Sequence, residues 1–251
     1  MAGNDRTGPL TEDRLLDGRI AIRQPKHGFR VSMDSVLLSA SIPCEDGERV
    51  LEPGAGVGGA ALMLAARVPG CRVVGLEPQR ALVGIAGENV RLNAMSGRVD
   101  IVMGDLGSPP PRLALGAFDH VMMNPPFHRA GRTHAPAEPS RAASHVEGDA
   151  GLEDWIAFGV SMLRGMGTLT LIHRADRLAD VLAALHGRAG EIVVFPLWPR
   201  ADGSPAKRII VRARRGTAAP LRLAQGLILH ERDGGFTPEA DRIFRGGDLD
   251  V

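Results

Sequence analysis

From residue 49 to residue 215, short apolar runs of strand character alternate with stretches of helical period, and this alternation limits the chain more than any other feature. Runs at 49–53, 72–77, 99–103, 118–123, 168–173, 191–195 and 208–213 are rich in Val, Ile, Leu or Phe, with helical patterns between them at 59–67, 81–93, 152–164 and 178–188. Such a sequence of elements predicts an α/β fold in which a mostly parallel, seven-stranded sheet is flanked by helices. Gly165 and Gly167 are expected to end the helix that precedes the fifth strand. Beyond Gly216, residues 221–230 and the turn at 233–235 suggest a strand pair or hairpin that extends the sheet. The first 45 residues lack a clear pattern, so residues 1–45 are taken as an N-terminal cap or extension and 46–251 as the main domain.

Size and composition exclude several classes. A chain of 251 residues, 44% hydrophobic and 24% charged, buries a substantial core as one α/β domain. No apolar stretch approaches the roughly 20 residues that cross a bilayer. The start, MAGNDRTGPLTEDR, lacks the layout of a secretion signal, and Cys44 and Cys71 are too few for a disulfide framework. The expectation is a cytoplasmic protein that uses no metal. A net charge of +1 hides an uneven distribution: Arg200, Lys207, Arg208, Arg212, Arg214, Arg215 and Arg222 are opposed over 196–222 only by Asp202, and Arg19, Arg23, Lys26 and Arg30 form a second basic run. These read either as a phosphate-facing surface, with Arg208, Arg212 and Arg214 as its RNA contacts, or as a solvated strand face. With 4% aromatics and no Tyr, a broad base-stacking platform is excluded, and any stacking falls to one or two Phe or Trp.

Two segments carry chemistry. In the first, Val50-Leu51-Glu52-Pro53-Gly54-Ala55-Gly56-Val57-Gly58-Gly59 opens as a strand and closes on a helix start, with glycines that let a nucleotide approach bare backbone. Glu77 then ends the next strand, where a carboxylate accepts from both hydroxyls of an adenosine ribose, and Asp105-Leu106 follow the third strand with an acceptor and an apolar contact for adenine. Gly54, Gly56 and Gly59 also satisfy the dinucleotide fingerprint, so this loop alone does not separate a nicotinamide cofactor from S-adenosylmethionine.

The second segment, Met123-Asn124-Pro125-Pro126-Phe127, drives the fourth strand directly into two prolines. Proline fixes φ and restricts the residue before it, so Asn124 is held extended at the carboxyl edge of the sheet. The Asn124 side-chain oxygen and the Pro125 carbonyl make a pair of acceptors that matches the two hydrogens of a planar amino group. Such a nitrogen is a poor nucleophile because its lone pair is delocalised. Fixed acceptors localise that pair and stabilise the positive charge that develops during attack. Phe127 is placed to stack on the planar group, and a base in a stacked loop has to be extruded to reach it. His128 is either a proton acceptor or a bystander, and the residues of 130–151 form a long loop of unassigned role.

With these residues in hand, the chain resembles the class I, Rossmann-like S-adenosylmethionine-dependent methyltransferases, in their N-methylating branch, through Glu52–Gly58 and Asn124–Phe127. It is more closely similar to the bacterial valine-tRNA adenine N6-methyltransferases, through Leu16-Asp17-Gly18-Arg19, Gln24–Arg30 and Asp34–Leu38 near the start, and Pro205–Arg208, Leu229–Glu231 and Gly235–Thr237 near the end. The resemblance implies transfer of methyl from S-adenosylmethionine to the N6 of an adenine in tRNA, in the anticodon loop of a valine tRNA. It implies a cofactor set of Glu52, Gly54, Gly56, Gly58, Glu77, Asp105, Leu106 and Asn124, and a catalytic set of Asn124, Pro125, Pro126 and Phe127. Glu52 stands where the wider class often has Asp. Phe29, Ser32 and Asp34 are implied to close over the active site, or else to pack as a cap. Guanine N2-methylation of ribosomal RNA, glutamine N5-methylation of a protein and a nicotinamide-dependent oxidoreductase remain as the alternatives.

Overall fold

Strands that are apolar on both sides require helices on both faces of their sheet, and the chain packs in that way. A computed structural model describes residues 8–28, 30–127 and 150–251. A hairpin of β1 (Leu10–Leu15) and β2 (Ile20–Pro25) leads to α1 (Met33–Ala40). Alternating elements follow: β3 (Arg49–Pro53), α2 (Gly59–Arg67), β4 (Arg72–Glu77), α3 (Arg80–Leu92), β5 (Val99–Met103) and β6 (Phe118–Met123). The second half comprises α4 (Leu152–Met162), β7 (Leu163–Arg174), a 3-10 turn at Ala175–Arg177, α5 (Leu178–Leu185), β8 (Ala189–Arg200), β9 (Arg208–Arg215), β10 (Arg222–Leu223), β11 (Leu227–His230) and α6 (Pro238–Phe244).

The sheet runs β5-β4-β3-β6-β7-β9-β8, parallel from β5 through β7, with β9 antiparallel to both of its neighbours. Its first strand in sequence, β3, therefore lies in the middle. The chain builds β4 and β5 on one side, then crosses back to add β6 and β7 on the other. The crevice at the carboxyl ends of β3 and β6, where the order reverses, is where open α/β sheets take ligands. Period-two alternation divides the core between the faces. Val50, Met122, Ile172 and Ile210 pack with residues of α1 and α2, whereas Leu51, Val121, Met123, Leu171 and Ile209 pack with residues of α4 and α5.

Residues 221–230 extend the sheet as a pair of short strands: β10 and β11 each pair parallel with β8, one after the other along its outer edge, and the turn at 233–235 closes an antiparallel bridge between His230 and Phe236. Between them Gly226 passes so close to the Pro196 carbonyl that a Cβ would collide with it. The helix before the fifth strand departs from the sequence reading: it stops at Met162, and Gly165 and Gly167 belong to β7. Its last carbonyls are met from outside, since Gly116 N and Arg215 Nη1 donate to Ser161 O at 3.1 and 3.3 Å, and Arg215 also reaches Leu163 O. Gly167 has a different function, because a Cβ there would stand 2.8 Å from Asp119 O on the neighbouring strand.

Near the start of the chain, Asn89 of α3 and Asn93 at its C-cap take the place of a strand edge. Asn89 Oδ1 accepts from Arg23 N at 2.7 Å while its Nδ2 donates to Arg23 O at 2.9 Å and Val57 O at 3.0 Å. Asn93 treats Ala21 in the same way, at 2.9 and 2.7 Å. The hairpin is thus hydrogen-bonded to the helix that follows the second sheet strand, close to the glycine turn. Among the described residues no helix is long and apolar enough to cross a membrane.

Candidate active site

Sheet register brings the two sequence segments together. Pro53 is paired with Leu76, so Gly54 and Glu77 follow side by side. Val50 and Leu51 face His120 and Val121, and carrying that register forward sets Gly54 beside Asn124. Met123 faces Leu171, which puts Pro125 beside His173, and Arg174 in turn faces Arg208 on β9. One line along the carboxyl edge therefore joins the acidic end of β4, the glycine turn, the Asn-Pro-Pro-Phe segment and the ends of β7 and β9.

Within the turn, Gly54, Gly56 and Gly58 hold φ of 71°, 56° and 81°, the left-handed region that side chains with a Cβ disfavour. Gly54 N and Ala55 N donate to Leu76 O at 2.8 and 3.1 Å. Glu77 clamps the same turn: its Oε2 accepts from Gly56 N at 2.9 Å and its Oε1 from Gln79 N at 3.0 Å. Burial pushes the Glu77 carboxyl above its ordinary range, opposed by those two N–H donors. Each carboxylate oxygen has two lone pairs, so both retain capacity for a hydroxyl donor.

Two buried acceptors in this region have no partner among the described residues, Glu52 Oε2 and Asn124 Oδ1. Glu52 is 6% exposed, and burial pushes its carboxyl up to about 8, with the Ala61 backbone N–H opposing the shift and Glu77 adding to it. A buried acceptor left without a donor costs about 1–3 kcal/mol, so both are explained by a ligand that brings donors or positive charge.

A cavity of about 850 Å³ opens at the mouth of the glycine turn, bounded by Gly54, Leu76, Asp105, Leu106, Pro126 and Trp155, and Glu52, Glu77 and Asn124 do not line it directly. It is large enough for a nucleoside with an amino-acid arm. Asp105 is exposed at its rim and also accepts from Ser108 N at 2.7 Å, as a turn residue does. Trp155, on α4, lies so near Gly54 that a Cβ there would stand 2.7 Å from the indole ring. A second cavity of about 860 Å³, beside Trp198, Arg200 and Arg222, contains none of the motif residues.

Phe127 is held on several sides. The Arg208 guanidinium lies over its ring at 4.6 Å from the centroid, the His173 ring meets it edge-on at 5.3 Å and 74°, and Arg177 Nη1 donates to its carbonyl at 3.3 Å. Arg208 is itself anchored, its Nε donating to Asp34 Oδ2 on α1 at 2.9 Å. His173 is fully buried, and burial, reinforced by the charges of Arg177 and Arg208 and opposed by the Pro126 and Arg174 backbone, brings its pKa down to about 4, so it is neutral near pH 7.

Of the arginines named as RNA contacts, Arg208 thus belongs to the site. Arg214 donates to Glu191 Oε2 at 2.7 Å and Met166 O at 2.9 Å, and Arg212 is half-buried, which lowers its pKa. Phe29, His128 and residues 130–149 of the long loop lie outside the described residues. Trp155 and His173 escaped the sequence reading because the first sits in a helix after that loop and the second ends an ordinary apolar strand. The one available signal was a polar residue closing a strand whose neighbour carries the Asn-Pro-Pro-Phe segment. At the opposite end of the sheet, Cys44, Glu48 and His120 bring polar atoms within 4.8 Å of one another; His120 bonds Glu48 at 2.8 Å and Thr168 at 2.7 Å.

Fold and site together define a class I methyltransferase. A family profile described as methyltransferase small domain matches residues 30–140. A Porphyromonas gingivalis protein named tRNA1(Val) (adenine(37)-N6)-methyltransferase is 32% identical over 243 residues, covering 90% of this chain and 91% of that one. A protein of the same name from Aeromonas hydrophila is 26% identical over 211 residues, covering 83% and 86%. The chain belongs to the family of the tRNA1(Val) (adenine(37)-N6)-methyltransferases. Among solved structures, a predicted O-methyltransferase from Agrobacterium tumefaciens, protein Atu636, superposes with a TM-score of 0.72 at 28% identity, over 87% of this chain and 99% of that one. A tRNA (m1A58) methyltransferase from Aquifex aeolicus shares the fold at a TM-score of 0.55 and 15% identity, over 76% and 72%.

Proposed function

We propose that this protein transfers the methyl group of S-adenosylmethionine to the N6 of adenine 37 in a valine tRNA. The observation that carries the reading is the buried Asn124 Oδ1, which has no partner among the described residues and follows the β3–β6 register beside the glycine turn. The relatives' shared name supports the choice of acceptor. On this reading residues 46–251 form the catalytic domain and 1–45 its cap, and the protein works in the cytoplasm.

The residues present suit that cofactor. Glu77 offers acceptor lone pairs to the ribose hydroxyls, Asp105 and Leu106 an acceptor and an apolar wall to adenine, and the Glu52 carboxyl a negative partner for the methionine ammonium. The turn at Gly54, Gly56 and Gly58 leaves bare backbone against the ligand. When bound, S-adenosylmethionine supplies an electrophilic methyl on a sulfonium.

The rest falls to the chain. Asn124 Oδ1 and the Pro125 carbonyl accept the two N6 hydrogens, draw the nitrogen lone pair out of conjugation and point it away from the ring plane. Positive charge grows on that nitrogen as it attacks, and the same two acceptors stabilise it without moving, because the prolines hold them. Neutral N6 needs no deprotonation beforehand: as the N–C bond forms, the broken C–S bond would leave its electron pair on a neutral thioether, and the methylated, cationic nitrogen would then lose one proton to solvent water.

The test is transfer of labelled methyl to total RNA from cells lacking the endogenous activity, with nucleoside analysis of each RNA fraction. N6-methyladenosine in valine tRNA is the expected product. N2-methylguanosine in ribosomal RNA, or label in protein alone, would overturn the reading.

A further inference from the structure

The adenine that reaches Asn124 has to present its amino group in one plane, and Phe127 is the planar side chain next to the acceptors. Something must therefore fix the plane of Phe127. One face of that ring is covered by Arg208, at 4.6 Å from the centroid. Arg208 is not a loose surface cation: its Nε is bonded to Asp34 at 2.9 Å, and the Asp34 side chain is only 16% exposed. Asp34 lies in the first turn of α1, which packs on the core, so the ring orientation is referred back to a rigid helix rather than to a loop. His173 closes the ring edge.

We propose that Asp34 and Arg208 are positioning residues, which set the plane of Phe127 and through it the plane of the target adenine, and that Arg208 does not act as an RNA-phosphate contact. The proposal rests on the adenine N6 reading. Its physical basis is that a guanidinium lying on an aromatic face and paired to a carboxylate has its charge already answered, so a phosphate would have to break that pair. It also explains why the basic residue is Arg, since the planar group covers a ring face that an ammonium does not. Asp34 would then affect the reaction without touching substrate.

Arg208→Lys, Arg208→Ala and Asp34→Asn separate the two roles. Each is assayed for methyl transfer to valine tRNA at saturating RNA and cofactor, for adenosylhomocysteine affinity, and for binding of a labelled anticodon stem-loop across a salt series. Arg208→Lys keeps the charge and guards against misfolding. We expect kcat to fall about tenfold or more in both Arg208 variants and less in Asp34→Asn, with cofactor affinity and the slope of log Kd against log salt unchanged. A slope reduced by about 0.7–0.9 with kcat intact is the mark of one lost phosphate contact and would overturn the proposal. So would full activity in Arg208→Ala. Wild-type protein that methylates no tRNA adenine would instead remove the reading beneath it.

Discussion

At the residue scale, the two orphaned acceptors make different predictions. On the proposed function Asn124 Oδ1 matters most as charge develops on the attacking nitrogen, so Asn124→Ala should lower turnover by about 100-fold or more, as loss of a fixed transition-state partner does. Affinity for adenosylhomocysteine should stay within about threefold. Calorimetric titration beside single-turnover methyl transfer checks this, and a matching loss of cofactor affinity would make Asn124 a binding residue instead. Glu52 predicts a pH effect. Its folded pKa of about 8 is raised from the ordinary 4.5, so the folded protein holds a proton that the unfolded chain releases. The stabilisation from that proton is fully present below about 4.5 and is lost as pH rises through about 8. The ligand-free protein should therefore melt at a lower temperature at pH 9 than at pH 6, by a larger margin than Glu52→Gln. A cationic ligand reverses the preference and should expel the proton. Binding of S-adenosylmethionine should tighten from pH 6 to pH 8 in the wild type and stay flat in Glu52→Gln. Equal pH profiles for the two proteins would show that Glu52 does not meet the cationic arm.

At the element scale, α3 is the part that joins the amino-terminal hairpin to the sheet. Asn89 is fully buried and satisfies Arg23 N, Arg23 O and Val57 O at once. Asn89→Ala leaves those backbone groups unpaired in the interior, and we expect a loss of about 2–4 kcal/mol, since each buried orphan costs about 1–3. Urea denaturation should show a lower midpoint at constant slope, and an unchanged midpoint would mean that water replaces the amide. Asn89 also shows where sequence reading stops. The strands β3, β4, β5 and β6 and the helix α2 have the bounds their apolar patterns imply, because burial on both faces writes itself into consecutive residues. The pairing of β2 with an asparagine side chain 66 residues away leaves no periodic mark. The strand pair or hairpin expected over 221–230 extends the sheet, but its partner, β8, was not legible for a related reason: turn residues reveal a change of direction, and the partner strand is chosen by tertiary contact. In the site, Glu52, Gly54, Gly56, Glu77 and Asn124 were legible as local motifs next to strand ends. Trp155, His173 and the Asp34–Arg208 pair were not, because each reaches the site through a neighbour distant in sequence.

At the scale of the whole molecule, the chain's last residues hold its first helix. Leu249 N donates to Ala40 O at the end of α1 at 2.9 Å, and the Leu249 and Val251 side chains are 4% and 3% exposed in the core beneath α1 and α2. Arg67 of α2 ties both ends together, donating to Asp248 Oδ1 at 2.6 Å, Ser39 O at 3.0 Å and Ile42 O at 2.6 Å. α1 carries Asp34, so on the positioning role proposed for that residue the carboxyl-terminal segment supports the candidate site through α1. Leu249→Ala should cost about 2–4 kcal/mol, the usual range for a buried leucine. The loss should be uneven. Hydrogen exchange of the native protein is expected to quicken in α1 while β5, at the far edge of the sheet, keeps its protection. Because Asp34 moves with α1, kcat of Leu249→Ala should fall at temperatures where the protein is still folded, with cofactor affinity little changed. If exchange quickened equally in α1 and β5, the segment would be a contributor to global stability alone, and its link to the site would be gone.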